Sequence, residues 1–159
     1  MRIKEIKRDI CTMPDEYIIA HNIDGGEVAL GAGVALALCN KYPALRGSVQ
    51  NIIKETKEEG NLVVGDIFPV ECNGRTIINM VTKEHFYFRV GYGISEEDYL
   101  KNEKDCLLEL RKIMVEAGLN KLALPKIGAG LDGCPWEKTY NLITSIFEDT
   151  NIDICICII

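Results

Sequence analysis

Two glycine-rich segments, each set between a β-prone run and a helical one, restrict this chain more than any other feature. The first is Asp24-Gly25-Gly26-Glu27-Val28-Ala29-Leu30-Gly31-Ala32-Gly33, after the β-prone residues 17–21 and the loop-like start Asn22-Ile23. The second is Gly128-Ala129-Gly130-Leu131-Asp132-Gly133, after a strand expected at 121–125. Glycine admits positive φ and lets another group approach the backbone closely. A helix that follows such a loop offers unpaired N–H donors and the positive end of its dipole. Two of these loops side by side would clamp an anionic group such as a pyrophosphate, beyond the carboxyl ends of the strands. Each loop taken alone is also what a tight turn needs. The second matches GxGxxG, but a dinucleotide fingerprint normally opens a domain, and this one falls near the chain's end.

The rest of the pattern gives those loops a frame. Strands are expected at 3–10, 17–21, from 62–64 onward, 76–81, 121–125 and 152–159. The last is almost continuously apolar, as a strand buried on both faces would be. Asn73-Gly74, between Phe68-Pro69-Val70 and residues 76–81, predicts a type I′ hairpin. Helices are expected at 31–40, at 48–59 ending on Gly60, and from Ser95 to Gly118, where Ser95 is the N-cap and Glu96 and Glu97 fill the first turn. A fourth, at 135–148, carries Trp136, Tyr140, Ile143 and Phe147 at helical spacing. Strands interleaved with helices, plus one hairpin, predict an α/β fold: a three-layer α/β/α sandwich with a mixed central sheet. The 159 residues are expected to form one domain, 1–159.

Charge and cysteine content narrow the partners. A formal net charge of −6 argues against bulk DNA or RNA, whose binding requires a basic face. It does not argue against a small diphosphate held by backbone amides. Seven cysteines, an odd number, and an opening Met1-Arg2-Ile3-Lys4-Glu5 without an apolar core fit reduced thiols in a cytoplasm, with a nucleus as the alternative if the source is a eukaryote. No CxxC pair occurs and only His21 and His85 offer imidazole, so no metal site is expected. No cofactor, no membrane association and a monomer complete the expectation. Cys155 and Cys157 alternate on the last strand and read as packing, and Trp136 reads as core.

With the loops in place, the chain resembles the macrodomain family, closest to its terminal ADP-ribose protein glycohydrolase branch. The resemblance rests on Leu30-Gly31-Ala32-Gly33-Val34-Ala35, on Leu124-Pro125-Lys126-Ile127-Gly128-Ala129-Gly130-Leu131-Asp132 with Trp136 following, and on Val81-Thr82-Lys83. It implies an ADP-ribose site. Asp9 and the Ile10 amide would meet the adenine. Gly31, Ala32, Gly33 and Val34 would wrap the phosphates and distal ribose, and Ile127, Gly128, Ala129, Gly130 and Leu131 would close from the other side. Asn22, beside His21, would orient the distal ribose; His21 itself reads more readily as a satisfied, half-buried histidine than as a base.

In that branch Lys83 would be the nucleophile at the anomeric carbon and Asp132 its acid/base partner. The demand on such a lysine is severe, because a free lysine is neutral in only about one molecule in a few thousand at pH 7. Away from the family, Asp132 reads as a helix N-cap. The resemblance leaves three activities open: hydrolysis of acyl-linked or base-linked ADP-ribosyl adducts, binding of ADP-ribose without turnover, and phosphatase or deacetylase action on ADP-ribose derivatives. ADP-ribose, ADP-ribosylated protein and ADP-ribosylated nucleic acid are the partners it implies. The aromatic segment 84–93 departs from the branch; it contains His85, Phe86, Tyr87, Phe88 and Tyr92, any of which could cover the ligand, with none ranked above the others.

Overall fold

The computed structural model describes residues 1–159. In chain order the strands are Arg2–Lys7 (β1), Ile18–Asp24 (β2), Ile67–Cys72 (β3), Arg75–Lys83 (β4), Arg89–Val90 (β5), Gly93–Ile94 (β6), Lys121–Leu124 (β7) and Asp153–Ile158 (β8). Six of them form one sheet in the order β1-β8-β7-β2-β4-β3, and the short β5 and β6 pair within the aromatic segment. All neighbours in the large sheet are parallel except β3 and β4, which form the antiparallel hairpin that Asn73-Gly74 predicts. Asn73 and Gly74 have positive φ, 52° and 83°. A type I′ turn requires this of both central residues.

The helices Gly33–Lys41 (α1) and Leu45–Glu58 (α2) cover one face of the sheet, and Glu96–Glu116 (α3) and Trp136–Phe147 (α4) cover the other. Each face has its own core. One gathers Ile19, Ile77, Val81 and Cys155 with Leu38, Leu45 and Val49; the other gathers Ala20, Ile78, Met80 and Ile154 with Leu107, Leu110 and Phe147. Alternate residues of β4 and β8 divide between them, so both strands are apolar on two faces. Gly60 and Gly118, with φ of 83° and 68°, end α2 and α3. At each, a pair of C-terminal hydrogen bonds closes the helix: Gly60 N–H to Lys57 and Asn61 N–H to Thr56, and Gly118 N–H to Val115 and Leu119 N–H to Met114.

Several boundaries differ from the sequence expectation, each for a local reason. Asp9 and Ile10 lie outside β1: the Asp9 carboxylate accepts from the Cys11 N–H at 2.9 Å and caps a 3-10 turn, Ile10–Thr12. Residues 62–64 form no strand, because Gly65, at φ 90°, turns the chain before β3 begins at Ile67. The first helix starts at Gly33 and buries only Leu38 and Cys39, while the second starts three residues early, at Leu45. Trp136 is half-buried, with Nε1 donating to Glu5 at 3.0 Å. All seven cysteines are buried and unpaired. No helix is long and apolar enough to cross a membrane.

This topology places the site. β2 and β7 are adjacent and parallel, yet the helix after β2 goes to one face and the helix after β7 to the other. A crevice opens at such a switch point, beyond the carboxyl ends of the strands.

Candidate functional site

The loop after β2 is shaped mostly by side chains. Asp24 Oδ2 accepts from the Gly26 and Val28 amides at 3.1 and 3.0 Å, which folds the loop back on its strand. Val28 and Leu30 then take φ of 51° and 49°. A β-branched or bulky residue adopts such values only under constraint. The constraint comes from α2. Arg46 donates to the Ala29 and Leu30 carbonyls at 2.9 and 3.1 Å, and Gln50 donates to the Val28 carbonyl at 3.0 Å. Val28 and Leu30 are buried, whereas Ala29 between them and Gly31, Ala32 and Gly33 after them are exposed. At the start of α1 the capping residue, Ala32, has no side chain to offer, so the first-turn amides remain free for an anion.

The loop after β7 is held by backbone and one glycine contact. The Gly133 amide donates to Gly130 and the Cys134 amide to Gly128, at 3.1 and 2.7 Å. Gly128 has φ 75°, and a Cβ there would sit 2.8 Å from the Tyr99 ring. The loop presents Asp132, whose carboxylate is buried and fully engaged. Oδ1 accepts from Lys83 Nζ at 2.5 Å; Oδ2 accepts from Tyr99 Oη at 2.5 Å and Asn22 Nδ2 at 2.9 Å. Asp132 does not cap a helix, since α4 begins four residues later with Pro135 as its N-cap.

Lys83 reaches this carboxylate because the sheet slips. Ile23 pairs with Val81 and Asp24 with Lys83, so Thr82 has no partner in β2. Such an irregularity at the end of a strand re-aims the next side chain. Lys83 Nζ also donates to the carbonyls of Phe86 and Phe88 at 3.0 and 2.9 Å. Its three donors are therefore all used, and the aromatic segment is drawn over the pair. The Val90 amide adds a bond to the Asp132 carbonyl at 2.8 Å, and Glu27 clasps His85 and the Phe86 amide from the first loop.

Between the loops lies a cleft of about 650 Å³, in the range of small-molecule sites. Of the residues singled out in the sequence, Lys83, Asp132, His21, Asn22, Gly31, Ala32, Gly33, Val34, Gly128, Gly130 and Leu131 line it. Asp9, Ile10, Ile127 and Ala129 do not: Ile127 is in the core of the α3/α4 face, and Asp9 and Ile10 belong to the 3-10 turn that packs against α1. Sequence reasoning did not single out Asp24, Arg46, Gln50 or Tyr99 as site residues; of the aromatic residues it left unranked as covers for a ligand, Phe86 lines the cleft. His21 is buried, not half-buried. Asn79 spends its amide N–H groups on the Phe68 and Ile77 carbonyls, so its Oδ1 accepts from His21 Nε2 at 2.6 Å, and His21 Nδ1 has no partner. Burial pushes this imidazole down to about 4, against the weaker pull of Asn79, so it is neutral at pH 7.

The chain is similar to several known proteins. The ADP-ribose glycohydrolase OARD1 of Homo sapiens is 28% identical over 155 residues, covering 98% of this chain and 90% of the relative. A DNA ADP-ribosyl glycohydrolase of Mycobacterium tuberculosis is 25% identical, over 75% of this chain and 32% of its own. Among solved structures, the macrodomain of Thermus aquaticus DarG superposes with a TM-score of 0.77 at 22% identity, covering 99% and 98% of the two chains. Residues 20–143 match the family described as Macro domain, and this chain belongs to that family.

Proposed function

We propose that this protein binds ADP-ribose in the cleft and releases it from an acyl-linked or base-linked adduct. The observation that carries the reading is the buried pair: Lys83 Nζ lies 2.5 Å from Asp132 Oδ1, both line the cleft, and the two amide-bearing loops flank them. The diphosphate would take the free amides of α1 and of the second loop. The distal ribose would then sit over Asn22, Lys83 and Asp132, and the adenine would lie toward Asp9, which has one carboxylate oxygen left to accept from its amino group.

The free arrangement is a resting one, since an ammonium with three acceptors has no lone pair. Attack begins when one Nζ proton passes to Asp132 Oδ1 and substrate displaces the loop carbonyls. The amine forms a C–N bond at the anomeric carbon as the bond to the acceptor breaks and its electron pair leaves with the acceptor. A carboxylate departs as it is, whereas a departing base nitrogen takes the proton back from Asp132. The nitrogen adduct opens to an imine, water adds to it, and cleavage of the C–N bond restores Lys83 and frees ADP-ribose.

The test is incubation with glutamate-linked and thymidine-linked ADP-ribose. The wild type releases ADP-ribose from at least one of them. Lys83→Ala loses at least about 10²-fold in rate while calorimetry finds ADP-ribose affinity within about tenfold, roughly 1.4 kcal/mol. Lys83→Arg keeps a cation for the loop carbonyls but lacks the amine, so its inactivity separates lost chemistry from a displaced loop. Turnover that survives in Lys83→Ala would sink the lysine mechanism. The three-acceptor cage around Nζ supports a second reading, a binding module in which Lys83 only fastens the aromatic segment. Binding without release by the wild type would select it.

A further inference from the structure

We infer that Tyr99 is a positioning residue for this site: it fixes the rotation of the Asp132 carboxylate so that one oxygen is held on Lys83. The inference rests on the functional reading above for its kinetic consequence, but its structural content stands apart from it. Tyr99 lies in the first turn of α3, away from the two loops in sequence, and is completely buried at the point where four segments meet. Its hydroxyl touches the end of β2 through Asn22, the bulge of β4 through Thr82, and the second loop through Asp132, while its ring packs against Gly128.

The direction of each hydrogen bond is fixed by chemistry. Asn22 Nδ2 is a donor only. It donates to the Tyr99 oxygen at 3.1 Å, and Thr82 Oγ1 donates to the same oxygen at 3.2 Å. Both acceptor positions of the phenol are then filled. Its one proton is left for Asp132 Oδ2, at 2.5 Å. Burial, with the Asp132 carboxylate beside it, pushes the phenol well above its ordinary range, so that proton stays on oxygen throughout any working pH. Asn22 donates to the same Oδ2. One carboxylate oxygen thus has two fixed donors, and the other has Lys83 alone. Without the phenol proton, Oδ2 keeps a single amide donor from a side chain that itself borders the open cleft, and the carboxylate is free to rotate about its Cβ–Cγ bond.

The packing also accounts for Gly128. The ring edge occupies the space a Cβ would need, at 2.8 Å. The residue that sets Asp132 therefore also seats the loop carrying it. Tyr99 is enclosed and does not line the cleft, so it acts through Asp132 and not on substrate.

Tyr99→Phe is the test, because it removes one oxygen and keeps the ring against Gly128. In its crystal structure the Asp132 carboxylate plane should turn so that neither oxygen keeps the 2.5 Å contact with Lys83 Nζ, with Gly128 and the first loop unmoved. In kinetics, kcat should fall on the order of 10²-fold, the scale of a misplaced catalytic group, with KM and ADP-ribose affinity nearly unchanged. In an Asp132→Ala background the same substitution should cost almost nothing, since the coupling runs through that carboxylate. Thr82→Val, which removes a donor to Tyr99 but leaves its bond to Asp132, should retain near-wild-type kcat. The inference is overturned if the carboxylate stays in place in Tyr99→Phe, if the effect persists in the Asp132→Ala background, or if Thr82→Val loses as much. Should the wild type turn nothing over, the functional reading fails and the crystal comparison still decides the role of Tyr99.

Discussion

The two loops that border the cleft look alike in sequence and are built differently. The loop after β2 is held from outside, by the carboxylate of Asp24 and by Arg46 and Gln50 of α2, and it tolerates two non-glycine residues at positive φ. It offers backbone amides to the cleft and no reactive side chain. The loop after β7 is held by its own backbone and by a close contact at one glycine, and it delivers Asp132 to Lys83. On the proposed function, the loop after β2 has to present several amides at once, so a clamp that braces the whole backbone suits it. A loop that aims one carboxylate needs a fixed point near that carboxylate, and Gly128 against Tyr99 supplies one. Damage to the first loop should therefore appear in affinity with turnover at saturation kept, and damage to the second in turnover.

Gly128→Ala should give the largest effect. The new methyl faces both a φ of 75° and the Tyr99 ring at 2.8 Å, and neither a buried aromatic nor its hydrogen-bonded hydroxyl can step aside. Backbone strain and overpacking together should cost roughly 2–5 kcal/mol of stability, read as a fall in Tm, with turnover lost in whatever fraction stays folded. Gly130→Ala is the matched control, because nothing lies within 4 Å of its Cβ position. Its stability should stay within about 0.5 kcal/mol, although the methyl enters the cleft. If the two substitutions destabilise equally, the second loop has no fixed point at Gly128.

Arg46→Ala tests the other half of the contrast. It removes the donor from two loop carbonyls, and with Val28 and Leu30 already strained the loop should relax away from its shape. We expect a loss of about 1–3 kcal/mol in stability and about tenfold in ADP-ribose affinity, with turnover at saturation unchanged. A fall in kcat at unchanged affinity would reverse the assignment of the two loops.

What the sequence revealed follows the range of the interactions. Turns and caps are local, so Asn73-Gly74, Gly60, Gly118 and Ser95 were legible; the Ser95 hydroxyl accepts from the Asp98 amide at 3.0 Å, as its position predicts. The two loops were legible because glycine marks them. The braces were not. Tyr99 bonds to Asp132 across 33 residues, and Arg46 reaches the first loop across 16 and 17. Each reads in sequence as an ordinary residue of an amphipathic helix. The misread strand at 62–64 has the same origin: Val63 is buried against Gly25, a tertiary contact that gives a coil segment the hydrophobic look of a strand. His21 and Asn22 adjoin the first loop in sequence, but only the slip between β2 and β4 shows why Lys83 meets the carboxylate that Asn22 also touches.

The two loops also rest on buried titratable groups of opposite habit, and this gives the smallest expected effect. Beneath the second loop, Glu103 Oε1 accepts from Thr139 at 2.8 Å and Oε2 has no partner. Burial pushes its carboxyl from 4.5 up to about 8, against the hydrogen bond from Thr139. The folded protein thus holds a proton there that the unfolded chain releases above about 4.5. That contribution is complete below 4.5 and is lost as pH rises through about 8. His21 behaves in the reverse way: burial lowers it from 6.5 to about 4, so stability is present above 6.5 and lost as pH falls through about 4. Glu103→Gln keeps the acceptor for Thr139 and cannot ionise. Its Tm should hold up on the alkaline side, leaving it about 1–2 kcal/mol more stable than the wild type near pH 8.5, while the acid limb set by His21 remains. Coincident wild-type and variant curves above pH 7 would mean that Glu103 is already ionised in the fold, and that the second loop rests on a buried anion instead of a neutral acid.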